Sequence, residues 1–354
     1  MGPVRVLVVE DSLTVRRRLV EVLDADPEIR VVGEAADGKS AIEQCSQLRP
    51  DVVTIDMMLP VMTGLAATEY IMAYCPTPIL IVSASTNRGE LFKTYDALAA
   101  GALDVLEKPR GDESGGEWEQ RFCASVKLIA RIKVITHPRA RLGALGRRSY
   151  SPAPPAPSSR ALEVLALGAS TGGPGALVQV LRDLPSAFPI PAVIVLHLDE
   201  VFGGAFAEWL DGQTRHRVAY ARDGEPVASF RGRVAMAPAG RHLVVDRRTF
   251  RLTGDPPRHS CRPSIDALFE SLALDYGSSA VACLLTGMGR DGAQGLLEIR
   301  RAGGMTIAQD EATSVVYGMP REAAMLGAAE LTLPLDAIGR IIARAVEARQ
   351  RSEP

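Results

Sequence analysis

The segment from Thr136 to Arg160 divides this 354-residue sequence into two parts. It contains five prolines and five arginines but no acidic residue. Such a mixture of proline, serine and arginine cannot bury a hydrophobic core, so the segment is predicted to be a semi-extended linker. The parts on either side are each long enough for an ordinary globular domain. We therefore expect one domain at residues 1–125, a helical extension and linker at 126–160, and a second domain at 161–348.

Composition excludes several classes of protein. The 40 Lys and Arg residues nearly balance 42 Asp and Glu, whereas a protein that coats nucleic acid needs a basic excess. The five cysteines are scattered with no CxxC pair, which argues against a disulfide framework or a zinc site and suits a reducing cytoplasm. The apolar run Val4–Val9 stops at Glu10 and is too short for a signal peptide or membrane span. We therefore expect a cytoplasmic protein with no nucleic-acid partner and no membrane insertion.

Both halves have the pattern of an α/β fold. In the first half, five short β-branched runs alternate with amphipathic stretches, which predicts a parallel, flavodoxin-like sheet with helices on both faces. The predicted strands are Val4–Val9, Val31–Ala35, Val52–Ile55, Ile79–Val82 and Asp104–Leu106. The second half predicts another doubly wound α/β domain with a β-hairpin insertion. Its predicted strands are Leu162–Leu167, Ala192–Leu196 and Val281–Leu285, with hairpin pieces at Val234–Ala237, His242–Asp246 and Thr249–Leu252 and a helix at Ala293–Arg300.

Five polar residues follow successive strands of the first domain. Glu10 and Asp11 come after the first strand and Asp56 after the third. Three carboxylates at one edge of a sheet are costly unless a cation such as Mg²⁺ neutralises them. Ser83 and Lys108 follow the last two strands and suit contacts with phosphoryl oxygens. Each residue alone could be a helix cap or a surface group, but the set predicts a phosphoryl pocket.

These residues resemble those of a response-regulator receiver domain. The matching positions are Glu10-Asp11, Asp56 with Pro60 and Gly64, Ser83-Ala84 and Lys108-Pro109, whereas Leu59 and Thr63 depart from the usual pattern outside the chemistry. The resemblance implies Mg²⁺-dependent phosphorylation of Asp56 by a histidine kinase of the chemotaxis type. It further implies that Ser83 and Lys108 report the added charge, which is about −1.5 to −2.

A small-residue turn, Gly168 to Gly175, follows the first strand of the second domain. Such a turn can thrust the oxygen of Ser170 outward and leave backbone N–H groups to receive an oxyanion. A phosphate-binding loop explains these residues equally well, although no GK[ST] or GxGxxG motif is present. Two further residues favour a nucleophilic serine over a phosphate-binding loop, because His197 and Asp291 each follow a predicted strand at the same edge of the sheet. Serine, base and orienting carboxylate can then converge.

The order serine, histidine, aspartate differs from that of the α/β-hydrolases, which place the acid before the histidine. Residues 160–348 instead resemble the catalytic domain of the chemotaxis protein-glutamate methylesterases, the CheB family. The matching segments are GASTGGP (168–174), His197, APAGRHL (237–243), RPSIDALFESLA (262–273), LLTGMGRDGA (284–293) and QDEATSVVYGMPREA (309–323).

The resemblance to this family implies a phosphorylation-activated hydrolase that acts on methylated chemoreceptors. Ser170 would be the nucleophile, His197 the base and Asp291 its orienting group, with Thr171 and Met288 as supporting site residues and Met288 at the oxyanion hole. The expected reactions are hydrolysis of glutamate methyl esters and deamidation of glutamine, with no cofactor for the esterase. An alternative is a response regulator whose second domain is a non-catalytic binding module; a DNA-binding output is weaker. The family usually has Met-Pro after the histidine, whereas this chain has Leu198-Asp199-Glu200, which puts its substrate contact in doubt.

Overall fold

The computed structural model describes residues 2–84, 87–109, 116–132, 134 and 160–351. The chain forms two compact units, residues 1–147 and 148–354. The predicted linker lies almost wholly outside the described residues, and the predicted domain boundary at residue 125 falls inside a helix. Among the described helices, none is long and apolar enough to cross a membrane.

The first unit is a five-stranded sheet in the order β2-β1-β3-β4-β5, with every pair of neighbours parallel. Side chains of the central strands are buried on both faces, which explains their uniformly apolar sequences. The fold predicted from the sequence is confirmed. The elements are β1 Val4–Val9, α1 Leu13–Asp24, β2 Ile29–Ala35, α2 Gly38–Leu48, β3 Val52–Ile55, α3 Gly64–Tyr74, β4 Ile79–Ser83, α4 Arg88–Ala100, β5 Asp104–Glu107 and α5 Glu117–Ile129.

The second unit has a seven-stranded parallel sheet in the order β14-β13-β12-β6-β7-β9-β8 and a separate hairpin, β10-β11. Its first elements are β6 Val164–Ala169, α6 Gly173–Asp183, β7 Ala192–Leu196, α7 Glu200–Gly203, α8 Phe206–Gln213, β8 Arg217–Tyr220, β9 Arg233–Met236, β10 His242–Asp246 and β11 Thr249–Thr253. Those that follow are α9 Ile265–Tyr276, β12 Ala280–Leu284, α10 Ala293–Arg301, β13 Met305–Gln309, α11 Met319–Met325, β14 Leu331–Leu333 and α12 Leu335–Gln350.

One local prediction in this unit is wrong. The sequence predicts a hairpin arm at Val234–Ala237, but β9 is a parallel strand of the main sheet between β7 and β8. Its Val234, Ala235 and Met236 are buried. Short length and nearby glycine and proline imitate a hairpin arm in the sequence, whereas burial between two neighbours produces a sheet strand. The other two pieces do form the predicted antiparallel hairpin.

Candidate active site

Three neighbouring strands, β12, β6 and β7, place the predicted triad at one edge of the second sheet. Ser170 follows β6 directly and His197 follows β7 directly. The last residues of these strands, Ala169 and Leu196, are paired in register, and the His197 N–H donates to the Ala169 carbonyl at 3.1 Å. Asp291 comes from the loop after β12. The carboxyl ends of adjacent parallel strands therefore place the three residues at one edge of the sheet, where His197 and Asp291 are in contact.

The turn that carries Ser170 is fixed by its backbone. The Ser170 N–H donates to the Thr286 carbonyl at 3.0 Å, and Gly172 has a φ of 76°, which favours glycine. A Cβ at Gly287 would lie 2.7 Å from the Cβ of Ser170, so this glycine lets the next strand end approach the serine. In the part of the chain that the structure describes, the Ser170 hydroxyl makes no hydrogen bond. The backbone of Ser170 is therefore fixed, while its Oγ has no partner in the described residues and can react with a substrate.

Asp291 holds the ring of His197 from a buried position. Its Oδ2 lies 2.8 Å from Nε2 of His197 and also accepts the Ile265 N–H at 2.7 Å. Its Oδ1 accepts the Ser264 hydroxyl at 2.8 Å and the Asp266 N–H at 3.2 Å. Asp291 is only 2% exposed. The carboxylate thus sits on the N-terminus of α9, where free N–H groups and the helix dipole stabilise a negative charge.

Two glycines allow α9 to come this close. A Cβ at Gly168 would lie 2.4 Å from Cγ2 of Ile265, and a Cβ at Gly292 would lie 2.6 Å from the same atom. Gly168 is the penultimate residue of β6 rather than part of the loop after it, which corrects its predicted position. Its role is therefore to admit Ile265, whose N–H then reaches Asp291.

The His197–Asp291 contact shifts both pKa values in opposite directions. Burial alone lowers the pKa of His197, but the hydrogen bond that His197 donates to Asp291, with a further contact from Cys261, raises it to about 9. Burial alone raises the pKa of Asp291, but the hydrogen bond and charge of His197, with the Ile265 N–H, lower it to about 2. Both shifts favour the charged forms of the two groups, imidazolium and carboxylate.

Two backbone N–H groups, one next to Ser170 in the chain and one next to Gly287, have no protein acceptor within the described ranges. They belong to Thr171 and Met288, which are both half-buried. The Thr171 carbonyl accepts the Thr286 hydroxyl at 3.0 Å, which fixes the peptide plane of the serine turn. Met288 also lines a cavity of about 600 Å³ together with the loop His259–Cys261 and Asp291. The N–H of Met288, which has no protein acceptor in the described residues and lies beside this cavity, is therefore available to an oxyanion.

The segment Leu198-Asp199-Glu200 has a local structural role. Asp199 caps α7, and its Oδ1 accepts the Val201 N–H at 3.2 Å. Asp199 and Glu200 are exposed, and neither is among the residues that line the 600 Å³ cavity. The two acidic residues thus form the start of the short helix α7, where negative charge is favourable.

The first unit brings its five predicted residues to the carboxyl edge of its own sheet. The Nζ of Lys108 lies 2.8 Å from Glu10 Oε2 and 2.9 Å from Asp56 Oδ2. Glu10 and Asp56 are buried, whereas Asp11 is exposed at the rim. Burial raises the pKa of Glu10 against the opposing effect of Lys108. Burial alone would lower the pKa of Lys108, but Glu10 and Asp56 raise it.

This pocket fits a hard divalent cation and a phosphoryl group. One oxygen each from Glu10, Asp11 and Asp56 lies within 4.8 Å of the others. The hydroxyl of Ser83 is buried without a hydrogen-bond partner. A buried donor of this kind is costly until an oxygen reaches it. Carboxylate oxygens are the ligands that Mg²⁺ prefers, so the donor set matches this ion.

Several residues that support the site were not singled out by the sequence. Ser264 caps α9 and donates to Asp291, and Gln309 Oε1 accepts the Thr286 N–H at 2.8 Å. Thr286 in turn accepts from the serine turn and donates to it. The signal for Ser264 is the serine before a helix, which predicts an N-cap but gives no hint of Asp291.

Comparison with known proteins gives matches along the whole chain. A family model described as CheB methylesterase matches residues 165–342, and one described as Response regulator receiver domain matches residues 6–114. The chain is 45% identical over 340 residues to protein-glutamate methylesterase/protein-glutamine glutaminase 2 of Anaeromyxobacter dehalogenans strain 2CP-C, with 96% of each chain covered. It is 42% identical over 350 residues to protein-glutamate methylesterase/protein-glutamine glutaminase of Nitrosospira multiformis, with 98% of each chain covered.

A solved structure is also similar in sequence. The CheB methylesterase catalytic domain of Thermotoga maritima is 34% identical and has a TM-score of 0.49. The match covers 53% of this chain and 98% of that domain.

Proposed function

The chain belongs to the CheB methylesterase family, with a response-regulator receiver domain before the catalytic domain, and we propose that Ser170, His197 and Asp291 carry its chemistry. The activity of this family is hydrolysis of protein glutamate methyl esters and deamidation of protein glutamine. One observation carries the residue assignment. A buried carboxylate holds a histidine at the strand end next to a serine whose hydroxyl is uncommitted.

The nucleophilic step uses the hydroxyl of Ser170. Its Oγ attacks the γ-carbonyl carbon of a glutamyl methyl ester, and its proton passes to His197. Because Asp291 occupies Nε2, the nitrogen that accepts the proton is Nδ1 of the neutral ring. The serine side chain turns toward this nitrogen when substrate is bound, since catalytic hydrogen bonds often tighten only in the substrate complex.

The tetrahedral intermediate carries a negative oxygen. The N–H groups of Thr171 and Met288 are the donors proposed for it, and one such donor contributes about 2.7–4 kcal/mol. His197 then protonates the departing methoxide, and methanol leaves an acyl-enzyme on Ser170. Water attacks the acyl carbon with the same histidine as base, which releases glutamate. A glutamine substrate follows the same path with ammonia as the leaving group.

The receiver is proposed to switch this activity. Asp56 would accept a phosphoryl group from a histidine kinase, with Glu10, Asp11 and Asp56 as the residues that hold Mg²⁺. The ion would neutralise charge on the phosphoryl oxygens. The ammonium of Lys108, which now bridges Glu10 and Asp56, and the unpartnered hydroxyl of Ser83 would contact the new oxygens. Their movement would report the modification.

The partners follow from this chemistry. The substrates would be methylated cytoplasmic domains of chemoreceptors, and the kinase would belong to the same chemotaxis-type pathway. We propose that the unmodified receiver restrains the esterase and that phosphorylation relieves the restraint. A fragment that begins at Ala161 should then hydrolyse faster than the unphosphorylated full chain, and equal or slower hydrolysis by the folded fragment would exclude restraint.

The activity itself is tested with purified methylated receptor membranes. Wild-type protein should release methanol from methyl esters and ammonia from glutamine side chains. Ser170→Ala should lose both, because one nucleophile serves both substrates. Retention of either reaction by the variant at the wild-type rate would contradict the assignment of Ser170.

A further inference from the structure

A cysteine thiol is within hydrogen-bond distance of the ring nitrogen of His197 that Asp291 does not contact. The Sγ of Cys261 is 3.6 Å from Nδ1 of His197. Hydrolysis of an ester does not use this thiol, so its position calls for a separate account. Cys261 and His197 are far apart in the sequence, and for that reason the spacing of cysteines and histidines gives no sign of the contact.

The backbone fixes the position of Cys261. Its N–H donates to the Arg258 carbonyl at 2.8 Å, and the Arg258 N–H donates to the Cys261 carbonyl at 3.0 Å. His259 and Ser260 form the turn between them, with φ values of 49° and 63°. This tight turn places the thiol at the wall of the 600 Å³ cavity, where a small solute has access to it.

The separation of sulfur and nitrogen matches that of a tetrahedral metal site. Zinc bonds of about 2.3 Å to sulfur and about 2.0–2.1 Å to nitrogen, at a tetrahedral angle, place the two ligand atoms about 3.6 Å apart. The observed distance between Cys261 Sγ and His197 Nδ1 is 3.6 Å. The two ligands are therefore prepositioned for one ion.

The other side of the imidazole also fits a metal ligand. A metal-binding histidine usually donates its second N–H to a carboxylate, which orients the ring and increases its basicity. Asp291 takes this place on Nε2 at 2.8 Å. Donor atoms of His197, Cys261 and Asp291 lie within 4.8 Å of one another.

We propose that Cys261 and His197 bind a zinc-class divalent cation, Zn²⁺ or Cd²⁺, and that this ion inhibits the esterase. Binding joins the metal to the thiolate of Cys261 and to Nδ1 of His197, while the thiol proton, and any proton on Nδ1, pass to solvent. Water fills the remaining positions. Inhibition rests on the proposed function, because a metal on Nδ1 prevents that nitrogen from accepting the proton of Ser170.

The experiment uses the full-length protein with excess Mg²⁺ and a small phosphodonor. Zn²⁺ is titrated while methanol release is measured, and Cd²⁺ binding is followed by thiolate-to-metal charge-transfer absorption. The variants are Cys261→Ser and, as the matched control, Cys75→Ser. Cys75 lies in the receiver 4.0 Å from Cys45, and that sulfur pair is the competing soft-metal site in the described residues.

Wild type and Cys75→Ser should both be inhibited by Zn²⁺, with recovery on addition of a zinc-selective chelator. With each protein compared to its own metal-free rate, Cys261→Ser should need at least about tenfold more Zn²⁺ for the same fractional inhibition. Equal inhibition of Cys261→Ser and wild type would overturn the proposal. A Cd²⁺ absorption that is lost in Cys75→Ser and retained in Cys261→Ser would also overturn it.

A metal-binding readout on Ser170→Ala separates this proposal from the proposed function. The variant should show the same Cys261-dependent Cd²⁺ absorption as wild type, although it cannot hydrolyse the ester. If wild type lacks esterase activity but retains this absorption, the function fails and the metal site stands. If wild type is active but the absorption is missing, the metal site fails and the function stands.

Discussion

Asp291→Asn perturbs the orientation of His197 with almost no change in shape. Each carboxylate oxygen of Asp291 accepts two hydrogen bonds, Oδ1 from Ser264 and Asp266 and Oδ2 from Ile265 and His197. Asparagine has one acceptor oxygen. In either orientation its NH₂ group therefore faces a backbone N–H at the start of α9, which cannot become an acceptor.

The size of the effect follows from these contacts. A buried N–H that loses its acceptor costs about 1–3 kcal/mol, so the free energy of unfolding of the catalytic domain should fall by that amount. The substitution also removes the carboxylate whose hydrogen bond and charge, together with Cys261, raise the pKa of His197 to about 9. We expect kcat to fall by about 10⁴, the scale that loss of the orienting carboxylate has in Ser-His-Asp hydrolases.

The assay is methanol release as a function of pH, with the variant and wild type compared on the same receptor membranes. Because the base must be neutral, wild-type kcat/KM should rise with pH until about pH 9. Loss of the carboxylate lowers the pKa of His197, so the residual activity of Asp291→Asn should reach its plateau at lower pH. A variant within tenfold of wild type, or one with an unshifted acidic limb, would refute this account of the ion pair.

Three further substitutions test other contacts. Ser264→Ala removes a charge-assisted hydrogen bond to Asp291, worth about 1.5–3 kcal/mol, and should lower kcat/KM by roughly tenfold or more. Ser271→Ala on the same helix is the control and should leave kcat/KM unchanged. Equal kcat/KM values for the two variants would contradict a role of Ser264 in holding Asp291. Gly287→Ala should lower methanol release without loss of the fold, because its Cβ would lie 2.7 Å from the Cβ of Ser170, and an unchanged rate would count against that crowding. Asp56→Asn should accept no phosphoryl label from a phosphodonor, and label at the wild-type level would exclude this phosphoacceptor.

The sequence predicted the α/β fold because both sheets are parallel and their strands are nearly continuous apolar runs. In such sheets the residue after each strand lies at a shared edge, so Ser170, His197 and Asp56 could be placed from the ends of predicted strands. The same reasoning failed for β9. Its four residues carry no periodicity that distinguishes a hairpin arm from a short central strand.

The details of the catalytic edge depend on contacts between distant parts of the chain. The approach of α9 to Asp291 depends on Ile265 fitting between Gly168 and Gly292, and no local pattern encodes that fit. Which nitrogen of His197 faces the carboxylate is likewise set by tertiary packing. Cys261 reaches the ring through a tight turn at residues 258–261 that the sequence did not predict.

Ser170 is the proposed nucleophile of a Ser-His-Asp esterase. The most direct test of this assignment is the site of a covalent adduct after reaction with a serine-directed phosphonate, located by peptide mass mapping. One adduct is expected, on Ser170, with labelling that is lost in Ser170→Ala and strongly slowed in Asp291→Asn. An adduct on another residue, or undiminished labelling of Ser170→Ala, would contradict the assignment.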